Sequence, residues 1–302
     1  MKNKPLDVFP PGSIIGIMGG GQLGRMTALA AANLGYRCHI YTEETDSPAA
    51  QVSATTTVAS YKDQEALTQF ATAVDLITYE FENIPLSSIT LLNKIQVMRP
   101  SPTILAISQH RGKEKEFAAQ NGVKVAPYKV IKKISDLESA IKTIGTPSVL
   151  KTCRFGYDGK GQIVINEPTE IYSAWNQLSS DELVLEQFIA FEKEISIVVA
   201  RDTNHKKKAY QAAENNHVNH ILDTTKVPAD ITDKTASLAT NIGFKLAESM
   251  DLIGLLAVEM FVMGDGTVVM NEIAPRPHNS GHWTQDGAQT SQFEQFVRAI
   301  TG

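Results

Sequence analysis

Short apolar runs separated by longer mixed segments fill the first third of the chain. Ser13–Met18, Arg37–Thr42 and Leu76–Tyr79 read as strands, and Arg25–Asn33 and Glu65–Ala73 as helices, the first closed by Gly35. A strand, helix, strand opening predicts a parallel sheet. Pro100-Ser-Pro102 marks an expected boundary, giving one domain over 1–100 and a second over 101–302. Ser101 and Pro102 suit the start of a helix running towards Gln120, where Asn121-Gly122 stops it. From Val123 onward the pattern turns strand-rich: Pro147–Leu150, Gln162–Ile165, Gly254–Val262 and Thr267–Ile273 all read as strands. The fold class expected is α/β followed by α+β.

The last two strands carry the first chemistry. Met263-Gly-Asp-Gly266 lies between them, and Asp265-Gly266 suits a two-residue turn that pairs Glu259 with Glu272. Directly opposed side chains stand about 5 Å apart at Cβ, and like charges there repel. Such a pair calls for a cation, and hard carboxylate oxygens point to Mg²⁺. A solvated edge hairpin, or a longer loop in another register, is the competing reading of the spacing alone. The residues after Glu272 favour a site. Ile273-Ala-Pro-Arg-Pro-His-Asn-Ser-Gly-His282 leaves the strand through two prolines, which end the ladder. It sets Arg276, His278, Asn279, Ser280 and His282 beside the carboxylates, a group suited to an anionic substrate.

The second constellation is Lys151-Thr-Cys-Arg-Phe-Gly-Tyr-Asp-Gly-Lys-Gly-Gln162, a glycine-rich loop between two strands that carries Lys151, Arg154 and Lys160. Glycines let backbone N–H groups approach phosphate oxygens, and the cations neutralise them. A P-loop runs from strand to helix, so strand-to-strand passage disfavours that class. A flexible surface hairpin is the plain alternative.

Composition narrows the field less. The chain has 302 residues, 42% hydrophobic, a length that suits two domains. A net charge of −5 argues against a nucleic-acid-binding protein. Two cysteines, Cys38 and Cys153, imply no disulfide framework and fit a reducing cytoplasm. No apolar run approaches a membrane span, and Met1–Pro10 lacks a signal-peptide core. Gly19, Gly21 and Gly24 match G-x-G-x-x-G, with Glu43 near the spacing of a ribose-binding acid. A nicotinamide-dependent oxidoreductase is therefore a rival, although it has no use for Lys151, the basic hairpin or the carboxylate pair.

Together the lysine, the glycine loop and the paired carboxylate strands resemble those of ATP-grasp enzymes. More narrowly, Tyr79-Glu-Phe-Glu-Asn83, Gly156–Gln162 and Asn271–His282 resemble the N5-carboxyaminoimidazole ribonucleotide synthetase family, from about Gly16 to the end of the chain. The resemblance implies a Rossmann-like pre-ATP-grasp domain, then an ATP-grasp fold with a lid around 123–188. It implies an ATP-dependent carbon–nitrogen ligase that joins bicarbonate to 5-aminoimidazole ribonucleotide in purine biosynthesis, through carboxyphosphate. It also implies a cytoplasmic homodimer using Mg²⁺ or Mn²⁺, whose product passes to the mutase of the same pathway.

Residue roles follow from the resemblance. Arg111 and Lys151 are expected on ATP phosphates, with Gly156, Tyr157, Asp158, Gly159, Lys160, Gly161 and Gln162 closing over them. Glu186, Gln187, Phe188 and Ile189 are expected to read adenine, Glu194 the ribose, and His217 the nucleotide from a neighbouring strand. Glu259 and Glu272 are expected to hold the metal, and Asn271 and Glu272 to bind the nucleotide. Arg276, His278 and Asn279 are expected on bicarbonate and carboxyphosphate, while Asp158, Tyr157, Glu80 and Asn83 face the aminoimidazole. Two departures stand out. Cys153 replaces a usual arginine, and the small C-terminal domain expected past Gly302 is absent from the sequence. A chain that binds nucleotide without turnover is the third hypothesis.

Overall fold

The computed structural model describes residues 8–156, 160–178 and 180–302. Its first sheet is the parallel one expected: β1 (Ile14–Met18), β2 (Arg37–Thr42), β3 (Thr55–Val58) and β4 (Leu76–Tyr79) lie in the order β3-β2-β1-β4. Helices α1 (Gln22–Asn33), α2 (Gln64–Thr72) and α3 (Leu86–Ile95) flank it. β3 and α3 have no counterpart in the sequence reading. β3, Thr-Thr-Thr-Val, is an exposed edge with no apolar run to reveal it.

The single helix expected over 102–120 is two: α4 (Pro102–Ser108) and α5 (Arg111–Gln120). His110 leaves helical geometry at φ −139° and caps α5, its Nδ1 accepting from Gly112 N (3.1 Å) and Lys113 N (3.3 Å). A side chain that satisfies the free N–H groups of a new first turn makes the break stable.

A four-stranded antiparallel sheet follows, ordered β5-β8-β6-β7 from β5 (Tyr128–Ile131), β6 (Ser148–Thr152), β7 (Gln162–Ile165) and β8 (Leu183–Gln187), with α6 (Ile134–Ile144) and α7 (Ile171–Gln177) packed on one face. The large sheet runs β12-β11-β9-β13-β14, built from β9 (Lys193–Arg201), β11 (Ala213–Val218), β12 (Ile221–Lys226), β13 (Gly254–Val262) and β14 (Val268–Ala274), while β10 (Lys207–Ala209) pairs with β9. α8 (Asp233–Ser249) covers one face through Ala239, Ile242 and Leu246. After the short α9 (Thr284–Gly287), α10 (Gln292–Thr301) wedges Phe296, Val297 and Ile300 among residues of both β1 and β13. Each side chain so buried contributes about 2 kcal/mol, which ties the first sheet to the large one.

Candidate active site

Glu259 and Glu272 do face each other across β13 and β14, but the turn differs from the one expected. Met263 N donates to Thr267 O, Gly266 N donates to Met263 O, and Gly266 has φ +79°. The loop therefore has three residues, Gly264–Gly266, the arrangement that places glycine in the left-handed position. Near it Met260 pairs with Met270, yet one step further Glu259 pairs with Glu272. Asn271 is the extra residue, a bulge that restores the carboxylate pairing.

Helix α5 holds that bulge. Lys115 Nζ donates to Asn271 O (3.2 Å), Glu114 accepts from Ile273 N, and Arg111 Nη1 meets Glu272 Oε2 at 3.0 Å. Arg111, Glu114 and Lys115 fall at i, i+3 and i+4, one face of a helix. Lys115 also meets Glu186 Oε2 at 3.1 Å, and Lys151 Nζ meets the same oxygen at 3.0 Å. Burial alone would raise the Glu186 carboxyl, but Lys115 and Lys151 bring it down to about 2. Burial lowers Lys151, while Glu186 opposes the fall. Glu114 and Lys115 were absent from the sequence reading; their i, i+3, i+4 spacing from Arg111 was the available signal.

Burial, then Glu272 and Glu194, push the Glu259 carboxyl well above the ordinary range. Glu272 goes the other way: burial would raise it, but the Arg111 guanidinium holds it low. One protonated and one ionised carboxyl is how a buried like-charged pair settles without a cation. His278 Nε2 lies 3.7 Å from Glu259 Oε1, and burial with the Arg276 charge lowers the ring to about 3. Its Nδ1 accepts from Ser280 N (3.3 Å), so the neutral ring carries its proton on Nε2.

These residues fit a hard cation. The carboxylate oxygens of Glu259 and Glu272 and a His278 ring nitrogen lie within 4.8 Å of one another. Among the described residues, buried Asn271 Oδ1 has no hydrogen-bond partner. Three oxygen donors, with the histidine proton turned towards the pair, suit Mg²⁺ better than a nitrogen-seeking metal. The second cluster of ligand type, His110, Cys153 and Glu182, does not fit one. His110 Nδ1 accepts the cap bonds, so its Nε2 carries a proton and donates to Glu182 Oε2 at 2.8 Å.

Arg276 Nε pairs with Glu82 Oε1 at 2.9 Å, which brings the Tyr79–Asn83 segment against the segment after β14. Asn279 is exposed at the start of a 3₁₀ turn. His282 stacks on Phe293 with ring centroids 5.7 Å apart. Across the large sheet, His217 Nδ1 lies 2.9 Å from Glu194 Oε2. In the stretch after β8, Gln187 N donates to Pro127 O (2.8 Å) and Phe188 N to Pro147 O (3.2 Å), so two of its N–H groups are committed. Phe188 is exposed and Ile189 half-buried. In the glycine loop, Arg111 Nη2 donates to Gly156 O (3.4 Å), and Thr152 N donates to Gly161 O as Lys151 pairs with Gln162. Lys160 is exposed, and Tyr157, Asp158 and Gly159 lie outside the described residues.

The glycine turn after β1 removes the oxidoreductase rival. Buried Glu80 accepts from Gly21 N and from Gly24 N (3.0 Å), filling the start of α1 where a pyrophosphate would bind. A Cβ on Gly19 would stand 2.5 Å from Glu80 Cγ, and one on Gly21 2.7 Å from Glu80 Oε1. The glycines make room for the protein's own carboxylate. Burial raises that carboxyl, and the two N–H bonds oppose the rise. Glu43, read as a ribose acid, instead accepts from Tyr61 N (2.9 Å).

Comparison with known proteins agrees with this geometry. Residues 13–109 match the ribonucleotide synthetase preATP-grasp domain and residues 116–293 the ATP-grasp domain. N5-carboxyaminoimidazole ribonucleotide synthase of Brucella melitensis is 44% identical over 97% of this chain and 81% of its own length. The bifunctional purine synthesis protein of Dictyostelium discoideum is 43% identical over 98% of this chain, which spans only 30% of that protein. A crystal structure of N5-carboxyaminoimidazole ribonucleotide synthetase as an ADP complex superposes with a TM-score of 0.94 at 43% identity, covering 97% of this chain and 78% of that one. The Aspergillus clavatus synthase in complex with ADP and 5-aminoimidazole ribonucleotide gives 0.90 at 27%, covering 96% and 77%. With a clustered lysine and arginine, a paired-carboxylate strand and these relatives, the chain belongs to the N5-carboxyaminoimidazole ribonucleotide synthase family of ATP-grasp enzymes.

Proposed function

We propose that this protein uses ATP and bicarbonate to carboxylate the exocyclic amine of 5-aminoimidazole ribonucleotide, releasing ADP and phosphate. The observation that carries the reading is the convergence of α5, β6, β8 and β14 on one group of charges: Arg111, Lys151, Glu186 and Glu272. Arg111 and Lys151 bind the phosphates, exchanging their present carboxylate partners for substrate oxygens. Glu186, Gln187, Phe188 and Ile189 border the adenine, Glu194 the ribose, and His217 supports Glu194 from β11. Gly156, Lys160, Gly161 and Gln162 contribute to the phosphate cover, with Tyr157, Asp158 and Gly159 the candidates outside the described residues.

Glu259, Glu272 and Asn271 are the residues that would hold Mg²⁺ or Mn²⁺, which when bound offsets charge during phosphoryl transfer. Arg276, fixed by Glu82, binds the anionic oxygens of bicarbonate and of the carboxyphosphate formed from it. His278 donates through Nε2–H, and Asn279 supplies an amide beside them. Carboxyphosphate hydrolyses in water, so cover over the site matters. Glu80, Asn83, Tyr157 and Asp158 stand on the acceptor side, where the amine must lose a proton. The domain division at residue 100, a lid over 123–188, a homodimer, hand-over to the pathway's mutase and a cytoplasmic setting belong to the same reading.

The test is ADP release with Mg-ATP and bicarbonate, with and without 5-aminoimidazole ribonucleotide. Stimulation by the ribonucleotide supports ligase activity. ATP binding without stimulation supports a chain that binds but does not turn over.

A further inference from the structure

The break between α4 and α5 sends three consecutive side chains to three parts of the site. Arg111 goes to Glu272 and His110 to Glu182, and both are accounted for above. Gln109, 8% exposed, goes to the acceptor segment. Its Nε2 donates to Glu82 O and to Ile84 O (2.6 Å), and its Oε1 accepts from Arg154 Nη1 at 3.1 Å. Both amide hydrogens and one oxygen lone pair are used. A flipped amide would set its oxygen against two carbonyls, so the orientation is fixed.

We propose that Gln109 is a positioning residue for the acceptor substrate, tying the base of the glycine loop to the Tyr79–Asn83 segment. The inference rests on the ligase reading above. The carbonyls of Glu82 and Ile84 flank Asn83, so fixing both fixes the backbone at Asn83. Glu82 in turn holds Arg276. Arg154 is the first charged side chain after Lys151, and its guanidinium shares the same amide. Asn83, Gln109, Arg154 and Phe155 line one cavity of about 170 Å³. Ile84, Pro85 and Leu86 complete the lining, so Gln109 joins polar groups on two walls of a small, largely apolar space, and none of its bonds goes to the Lys151–Glu186 cluster. A residue that served folding alone would be indifferent to which substrate is scarce. A positioning residue acts on one substrate and spares the other.

The experiment is steady-state kinetics on the whole protein, varying ATP and 5-aminoimidazole ribonucleotide separately. Gln109→Leu removes three hydrogen bonds and is expected to raise KM for the ribonucleotide about tenfold or more, with KM for ATP within about twofold. Gln109→Glu keeps an oxygen for Arg154 but sets an acceptor against the Glu82 and Ile84 carbonyls, so it too should raise KM for the ribonucleotide and spare KM for ATP. If Gln109→Leu does not fold, Arg154→Met breaks the same junction from its half-exposed side and should shift the same KM. Equal changes in both KM values, or none in these variants, overturn the role of Gln109 alone. A wild-type protein indifferent to the ribonucleotide overturns the ligase reading and this proposal with it.

Discussion

Glu259 and Glu272 are paired across a hairpin whose turn would separate them by one place, and the bulge at Asn271 brings them back into register. Two departures from a plain hairpin cancel. The carboxylates then need a counter-charge, and Arg111 supplies it on one side.

Glu272→Gln should lower metal-dependent turnover by at least about a hundredfold, the range expected when one charged contact of about 3 kcal/mol made in the transition state is lost. Far-UV circular dichroism should stay native, because the amide still accepts from Arg111. Turnover near wild type would mean that the pair does not serve catalysis.

Lys115→Met leaves Glu186 with one lysine and Asn271 O without its donor. Breaking one partner of a buried pair costs about 3–5 kcal/mol, so urea unfolding should show a loss of that order. A further Glu186→Gln change should restore part of it. If the double variant is as unstable as the sum of the singles, the two residues are not coupled.

Arg276→Ala should reduce bicarbonate-dependent ATP cleavage by about tenfold or more while the Kd for ATP stays within about twofold, since Arg276 pairs with Glu82 and not with the Lys151 cluster. Equal losses in both would make Arg276 a structural residue.

Proton linkage gives opposite signs at two neighbours. Glu259 has a raised carboxyl in the metal-free fold, so its stabilisation is full below the ordinary glutamate range and is lost as pH rises through the raised value. His278, lowered to about 3, gives stability that is full above the ordinary histidine value and lost as pH falls below it. Adding Mg²⁺ favours ionised Glu259 and should reverse its arm, so the Mg²⁺-induced rise in Tm should grow with pH. A rise independent of pH would detach the cation from Glu259.

Gly19→Ala should destabilise by about 2 kcal/mol or more. Gly19 has φ +111°, and the new Cβ would collide with Glu80 Cγ. Gly24→Ala should be close to neutral, since its nearest contacts are 3.3–3.4 Å and alanine favours a helix by about 1 kcal/mol. Thermal melts of the two variants check the contrast, and equal melts would dismiss Glu80 as the reason for the glycine.

The apolar runs by themselves determined the parallel opening sheet, the strands that carry Lys151 and the two glutamates, and the chemistry of the segment after Glu272. Those readings rest on local periodicity and turn residues, which act within a few positions of the chain. Tertiary structure decided the rest. α5 separates from α4 because His110 caps it, and that capping has no apolar signature. The bulge at Asn271 persists because Glu114 and Lys115 satisfy its backbone from a helix about 160 residues earlier. The glycines after β1 read as a dinucleotide turn until Glu80 is seen folded into it. In each case the deciding partner is a buried polar group brought from a distant segment, and its cost if left unpaired is a property of the fold and not of the local sequence.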